Sequence, residues 1–570
     1  VENSQNYYKG EDKPKSYGAY NKKSIYQNKN NEAITVDLNK SHDYMMFSHI
    51  DSVWSLRKKI YANQRFKIHS EKDSMRSNGE YELNLTLTDT ASTRGILIKN
   101  IVKNGLLYEV KSKVDTIDKP SRFVTDFFQN FTPFDTVVGK SILTDKTTAF
   151  FAALRKNDSI VSDGYSFIKF QKKHIDSLKY YISAFNFPED KKHIQSYLIQ
   201  KLAALDDPQV NSFFKDFYAK SYNNSNAQTK ILTAITKKAD EESVKLLLEL
   251  MSQDLPLVSN KFEIHKIFKP YMDSLPMAKK LYPEILDYSA IAEYKSPIFE
   301  MLANLQAKGL IKPKSYKKYR KQILNDAKIQ LKRQLGQSYI SNTRGDYHDI
   351  IAPAASYRAI GSTKVLEDYA VLLYPFVKEK DVRQFFNRLL LVKDPKVQTT
   401  YAALLCKNEL TIPHRMLDSL SSNINSRVLL FNKLKAIGKS NLFPNKYRNE
   451  RSLAEAHLFN FKRFDVKKDS VSFLEKRTLD YRGKAYTGYY FKTKNGNDYD
   501  KNFKMHLIVY DNTLPLSPKP FYKSDDLRIE DTETDKEVLE YVTEAFLLKD
   551  RKRAVVYRPN GYGAYGFHGY

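Results

Sequence analysis

The 570-residue sequence has one cysteine, Cys406. A single thiol excludes an internal disulfide and any metal site built from several cysteines. No stretch approaches the roughly 18 apolar residues that a membrane-spanning helix needs, so no transmembrane segment is expected. The chain opens at Val1 without methionine and lacks the basic, apolar and small-residue succession of a signal peptide. A processed or truncated product is expected, with an export signal or an upstream domain missing before it. HExxH and GxSxG are absent too, and the 11 histidines are scattered. His174 and His193 fall on predicted helices among unrelated neighbours, and Cys406 follows Leu404 and Leu405 in a helix, the setting of a buried structural thiol.

Three phrases resemble ligand loops and each lacks something the chemistry requires. Gly561-Tyr562-Gly563-Ala564-Tyr565-Gly566 has the spacing of a dinucleotide loop, but the chain stops at Tyr570 and no helix follows to receive a pyrophosphate. Gly139-Lys140-Ser141 ends like a phosphate loop, yet Phe134 stands where the first glycine is needed. Asp531, Glu533 and Asp535 begin like a calcium loop, but Lys536 and Val542 occupy its sixth and twelfth positions. Thr534 and Glu537 read instead as the capping box of a helix. Neither a catalytic constellation nor a cofactor site emerges, and the chain reads as a non-enzyme.

What is abundant is positive charge, aromatic side chains and helical periodicity. Lys and Arg number 93 against 66 Asp and Glu, a net charge of +27. That balance suits an anionic partner, or it reflects a Lys- and Asn-rich surface with no further meaning, because no long basic block dominates. There are 40 tyrosines and 33 phenylalanines; those outside the core stripes suit protein interfaces, where tyrosine is enriched.

The phrase Asp-Pro-x-Val occurs twice, at Asp207 to Val210 and Asp394 to Val397. Aspartate caps exposed N–H groups and proline suits the first helical turn, so both mark helix starts. Apolar residues then recur with helical spacing: Val210, Phe213, Phe214 and Phe217; Val244, Leu247, Leu248 and Met251; Val365, Tyr369, Leu372 and Leu373; Val382, Phe385, Phe386, Leu389 and Leu390. Paired helices of this kind bury their faces by stacking, which predicts an irregular HEAT-like α-solenoid. Before it, Tyr81, Leu83, Leu85 and Leu87 alternate as a strand, Asn104-Gly105 marks a hairpin, and Arg122 to Phe131 reads as an amphipathic helix or turn packing aromatics against that sheet. After it, strands are predicted around Arg482-Gly483 and Asn495-Gly496, then a helix from about Asp535 to Leu548 and a last strand at Ala554 to Tyr557.

The expected fold is therefore α+β and multidomain. Residues 1–44 read as a polar linker or disordered tail, 45–168 as an antiparallel α+β module, 169–460 as the helical-repeat solenoid, and 461–570 as a C-terminal antiparallel α+β module with a Gly/Tyr-rich tail.

The densest basic segment, Lys312 to Arg333, reads as a basic, aromatic-studded helix containing Lys314, Lys317, Lys318, Arg320, Lys321, Lys328, Lys332 and Arg333. Such a helix takes phosphates or an anionic lipid surface; the solvated face of a solenoid is the more ordinary reading of the same residues, and an acidic surface is the partner it would suit.

Leu85-Thr86-Leu87-Thr88-Asp89-Thr90, the hairpin from Arg94 to Val110, Arg122-Phe123-Val124-Thr125-Asp126-Phe127-Phe128 and Phe131-Thr132-Pro133-Phe134-Asp135-Thr136 together resemble the region downstream of the peptidase-like domain in large TraB/GumN-type envelope proteins of Bacteroidota. In that family the catalytic part is N-terminal and carries Gly-x-x-His, a motif this chain is expected to lack. The resemblance implies a non-catalytic portion in an exported, periplasmic or outer-membrane-associated protein. Three functions are expected from all this: a non-enzymatic envelope scaffold that binds partner proteins within a larger envelope or outer-membrane complex, a substrate-binding accessory region of a hydrolase whose catalytic domain lies elsewhere, or, less in keeping with the spread of charge, nucleic-acid binding through basic helices.

Overall fold

A computed structural model describes residues 16–550 except 65, 76–78, 89–92, 259, 344–362, 410–413, 459–463, 465–466 and 497–501. The Ala554 to Tyr557 strand, the Gly/Tyr tail and the first 15 residues lie outside the described residues. The protein is α+β, with antiparallel sheets towards both ends of the sequence and a helical array between them. It divides into two compact units, residues 1–235 with 253–256, and 236–252 with 257–570. The helices are thus divided between the two units, and neither residue 168 nor residue 460 is a unit boundary.

The first unit begins with six strands, β1 (Tyr20–Gln27), β2 (Ala33–Lys40), β3 (Lys67–Met75), β4 (Tyr81–Thr88), β5 (Arg94–Lys103) and β6 (Leu106–Asp115), ordered β1-β2-β6-β5-β4-β3 and antiparallel throughout. β1 and β2 correct the expectation of a polar tail over residues 1–44. The apolar side chains that β2 buries are Ile34 and Val36, against Val110, with Lys40 as the third buried residue of the strand, too few apolar residues to stand out from their polar neighbours. β1 is an edge strand held mainly by its ladder to β2. The asparagines between them are turn chemistry: Asn28 Oδ1 accepts from the amides of Asn30 and Glu32 at 2.9 and 3.0 Å, and Asn31 takes φ 61°.

Helix α1 (Ile50–Asn63) covers one face of this sheet, setting Val53, Trp54 and Tyr61 on Leu83, Leu85 and Leu87. Helix α2 (Arg122–Asn130), capped by Ser121, covers the other with Val124, Phe123, Phe127, Phe128 and Phe131, as its periodicity predicts. Buried lysines pin this layer: Lys99 Nζ donates to the Phe128 carbonyl at 2.7 Å and Lys103 Nζ to that of Pro133 at 3.1 Å. The β5–β6 turn is Asn104-Gly105, with φ 49° and 78°. It packs so closely on Gly139 that a Cβ on Gly105 would lie 2.5 Å from the Gly139 carbonyl carbon, so the phosphate-loop look-alike is a packing contact. Helices α3 (Thr147–Arg155), α4 (Ser159–Gly164), α5 (Ile175–Ser183), α6 (Lys192–Ala203), α7 (Pro208–Lys220) and α8 (Ser225–Thr236) follow. Asp207 caps α7 through the amide of Gln209, with Pro208 in its first turn.

The second unit continues with α9 (Glu241–Gln253), α10 (Lys261–Asp273), α11 (Leu275–Lys280), α12 (Ala292–Ala307), α13 (Arg320–Thr343), α14 (Thr363–Leu373), α15 (Lys380–Leu389), α16 (Pro395–Lys407), α17 (His414–Ser422), α18 (Ile424–Ala436) and α19 (Glu450–Glu455). Asp394 caps α16 through the amides of Lys396 and Val397. α10, α12, α14, α16 and α18 pack in succession to form one layer. The second sheet comprises β7 (Ser470–Tyr481), β8 (Lys484–Lys494), β9 (Lys504–Asp511) and two short strands, β10 (Tyr522–Lys523) and β11 (Leu527–Arg528), both paired with β9. Arg482 and Gly483 make the β7–β8 turn at φ 57° and 71°. Phe503 to Tyr510 alternates in sequence, yet both faces of β9 are buried. One face packs Tyr489, Phe491, Ile508 and Tyr510 on Leu430, Phe431, Leu434 and Leu453 of α18 and α19. On the other, Leu479, Tyr490, Leu507 and Val509 receive Val538, Leu539, Val542 and Phe546 of α20 (Asp535–Leu548), which starts at the Thr534–Glu537 capping box.

Candidate functional site

The basic segment is two pieces of structure. Lys314, Lys317 and Lys318 lie on a 3-10 stretch, Pro313–Tyr319, and Arg320, Lys321, Lys328, Lys332 and Arg333 on α13. Pro313 and the buried Tyr316, whose hydroxyl donates to the Leu372 carbonyl at 3.1 Å, fix the tighter helix. Two of the eight cations are already engaged. Arg320 pairs with Glu379 at the start of α15, and Lys318 lies 3.7 Å from Asp287 and over the Tyr319 ring. Ile323, Leu324, Ala327 and Leu331 form the buried face of α13. Its outward face carries Lys321, Lys328 and Lys332, exposed or half-buried, at positions i, i+7 and i+11. That stripe is about 16 Å long at the helical rise, and none of the three forms an ion pair among the described residues.

Along α10, α12, α14, α16 and α18 runs a polar seam that motif reading missed. His265 of α10 faces Glu300 of α12, Nε2 to Oε2 at 3.4 Å and 35 residues apart. The His265 hydrogen bond holds the Glu300 carboxyl below its usual range despite burial. On α14, Glu367 Oε2 accepts from Thr400 Oγ1 of α16 at 2.6 Å and from Lys433 Nζ of α18 at 2.9 Å, partners 33 and 66 residues away. One carboxylate oxygen therefore ties three helices at one repeat period. Beside it, Lys364 bonds the carboxylate of Asp368, which burial pushes up to about 7 while Lys364 pulls it down and Glu300 and Glu367 add to the rise. The 33-residue recurrence of a polar residue at 367, 400 and 433 was the available signal; the apolar stripes drew attention away from it.

Cys406, His506 and His42 lie in structural surroundings. Cys406 is buried, which pushes its thiol up, away from the thiolate that a nucleophile needs. His506 is buried on β9, its Nε2 2.7 Å from Thr493 Oγ1, and burial pushes it down to about 4. His42 Nδ1 accepts from the Tyr44 amide at 3.0 Å. Among the described residues no three His, Cys, Asp or Glu side chains converge on a metal position, and no helix is long and apolar enough to cross a membrane. Gly345-Asp346-Tyr347-His348 has Gly-x-x-His spacing, which corrects the expectation that the chain lacks that motif; these four residues lie outside the described residues.

No protein-family model matches the chain, and no curated protein sequence matches it. Among solved structures, that of "Lipid-protein interactions in lipovitellin" is similar at 10% identity with a TM-score of 0.23 over 92% of this chain. The match spans 60% of that chain, and a likeness this low carries no argument about fold or function.

Proposed function

We propose that this protein is a non-enzymatic protein-interaction scaffold of the bacterial cell envelope, with the helical array as its binding element and an acidic protein surface as the partner of the α13 stripe. The observation that carries the reading is the outward line of Lys321 and Lys332, exposed, and Lys328, half-buried, on a helix whose opposite face is locked into the array. Cations held at fixed intervals on a rigid element favour a complementary acidic surface and speed its association. The seam from His265 to Lys433 supports the same reading, since it holds the stacked helices in register without offering a reacting group. The envelope location rests on the resemblance of the Leu85 to Thr136 region to TraB/GumN-type proteins.

The test is crosslinking and pull-down from envelope fractions with the wild-type chain and a Lys321→Glu/Lys328→Glu/Lys332→Glu variant. The expected result is a specific acidic partner recovered by wild type and reduced at least about tenfold by the variant, with Tm unchanged, as for exposed charges. No specific partner with wild type sinks the scaffold, and recovery from cytosolic fractions alone sinks the envelope assignment. Retention on DNA at low salt that falls steeply with ionic strength would reassign the stripe to nucleic acid.

A further inference from the structure

Within the first unit, His42 sits where the sheet meets the helices that follow it, between the end of β2 and α1, and is 6% exposed. Its Nδ1 accepts from the Tyr44 amide at 3.0 Å, so the neutral ring carries its proton on Nε2. That atom is buried with no hydrogen-bond partner among the described residues. Three rings close around the imidazole, with centroids 5.2 Å away for Phe167 and 5.6 Å for Tyr17 and Tyr44. Gly164, the last residue of α4, lies so close that an added Cβ would run into the imidazole. Tyr17 fastens this knot. Its hydroxyl donates to Asp163 Oδ2 at 2.9 Å and lies 3.0 Å from Ser159 Oγ, both on α4, and its carbonyl accepts from the Asp43 amide at 3.0 Å. Shortly after it begins β1, the edge strand whose side chains are mostly exposed.

The knot holds a neutral ring and has no place for an imidazolium. Both nitrogens of the charged form donate and need acceptors, whereas Nδ1 faces the Tyr44 N–H and Nε2 faces none. The charged groups around it are Lys40 and Asp43 from the β2–α1 connection, Lys146 ahead of α3, and Asp163 on α4. Asp43 is bound by Lys40 at 2.7 Å and Asp163 by Tyr17, and neither carboxylate bonds the imidazole. Burial holds His42 below its ordinary value; Lys40 and Lys146 add to the fall, and Asp43 and Asp163 oppose it. We propose that His42 is an acid-sensitive latch, whose neutral form keeps Tyr17 fastened to α4 and whose protonation frees Tyr17 and lets β1 peel from β2. Peeling bares the backbone N–H and C=O groups of β2, an edge on which another strand can add. The open chain takes up a proton that the closed chain refuses, so opening is favoured as pH falls below the ordinary 6.5. Full exclusion of the imidazolium from the closed form sets a limit of about 30-fold at pH 5. This inference does not depend on the scaffold reading.

Hydrogen exchange tests it, read as protection factors of Tyr20–Gln27 at about pH 7.5 and pH 5 in the wild-type chain, His42→Asn and Tyr17→Phe, with Leu106–Asp115 of β6 as the internal reference. Asparagine does not titrate, and its side-chain oxygen accepts from the amide two residues on, as the imidazole does. Wild-type protection of β1 is expected to fall by about tenfold to 30-fold at the lower pH while β6 keeps its own, and His42→Asn to show no such fall. Tyr17→Phe keeps the ring but loses the bonds to Ser159 and Asp163, so β1 should open further at both pH values. That arm reads the latch even where the asparagine variant misfolds. Unchanged wild-type protection at the lower pH overturns the proposal, as does an equal fall in folded His42→Asn or wild-type protection of β1 in Tyr17→Phe. A fall shared by β1 and β6 overturns it too, since the whole sheet would then be opening.

Discussion

Gly105 illustrates how much one hydrogen atom carries. Its φ of 78° is a conformation that L side chains rarely adopt, and an added Cβ would also meet the Gly139 backbone at 2.5 Å. Gly309, at φ 70°, has the same backbone demand but open space around it. Alanine at Gly309 is therefore expected to cost about 1 kcal/mol, the left-handed penalty alone. Gly105→Ala should cost about 3 kcal/mol or more, because backbone cannot step aside as a flexible side chain can. Chemical denaturation of the two variants measures the difference, and equal losses would show that the Gly139 contact yields freely. Asp368 gives a pH signature at the same scale. Burial raises its folded pKa to about 7, against an ordinary value of 3.8. Between those values the unfolded chain has released a proton that the folded chain keeps, so stability is full below about pH 4 and falls as pH rises through 7. The fall is on the order of 4 kcal/mol at most, at 1.36 kcal/mol per unit. Asp368→Asn should flatten the decline of Tm between pH 5 and 8, and a variant that tracks the wild-type slope would place the titration elsewhere.

At the scale of helices, caps and ties act differently. Removing the cap in Asp394→Ala leaves the first amides of α16 without their acceptor and should cost about 1 kcal/mol. Glu367→Ala releases Thr400 and Lys433 together and leaves α14, α16 and α18 without a shared acceptor, so a loss of about 2 kcal/mol or more is expected. Thermal unfolding ranks the two, and a Glu367 variant no worse than the cap variant would mean that apolar stacking alone sets the register. The caps were legible in the sequence because capping is a local rule, obeyed by Asp207, Asp394 and Thr534 without knowledge of the fold. The apolar stripes were legible for the same reason, although the buried residues shift by one in places: Leu366 is buried where Val365 is only partly so, and Leu390 is exposed. The seam was not legible, because Glu367 acquires its meaning only when helices 33 and 66 residues away stack beside it. β1 and β2 were hidden for a related reason: β2 takes its strand character from pairing with β6, at long sequence separation, and β1 from its ladder to β2, rather than from their own composition.

At the scale of the chain, the division into sheet, solenoid and sheet describes the order of the sequence better than it describes cooperativity. Within the second unit, Phe431 of α18 lies in one core with Tyr489 and Phe491 of β8 and Ile508 of β9. A module boundary near residue 460 would let the last helices open while the sheet stayed closed. A shared core forbids that, because opening α18 exposes a face of β8 and β9 that no water reaches in the folded state. Phe431→Ala should cost about 3–5 kcal/mol, the range for a buried phenylalanine. The loss should appear in both elements. Hydrogen exchange is expected to show Ile424–Ala436 and Lys484–Lys494 exchanging through one opening of equal free energy in wild type, both accelerated by the same factor in the variant. If the helix accelerates and the strand keeps its protection, the boundary near residue 460 is real and the sheet folds on α20 alone.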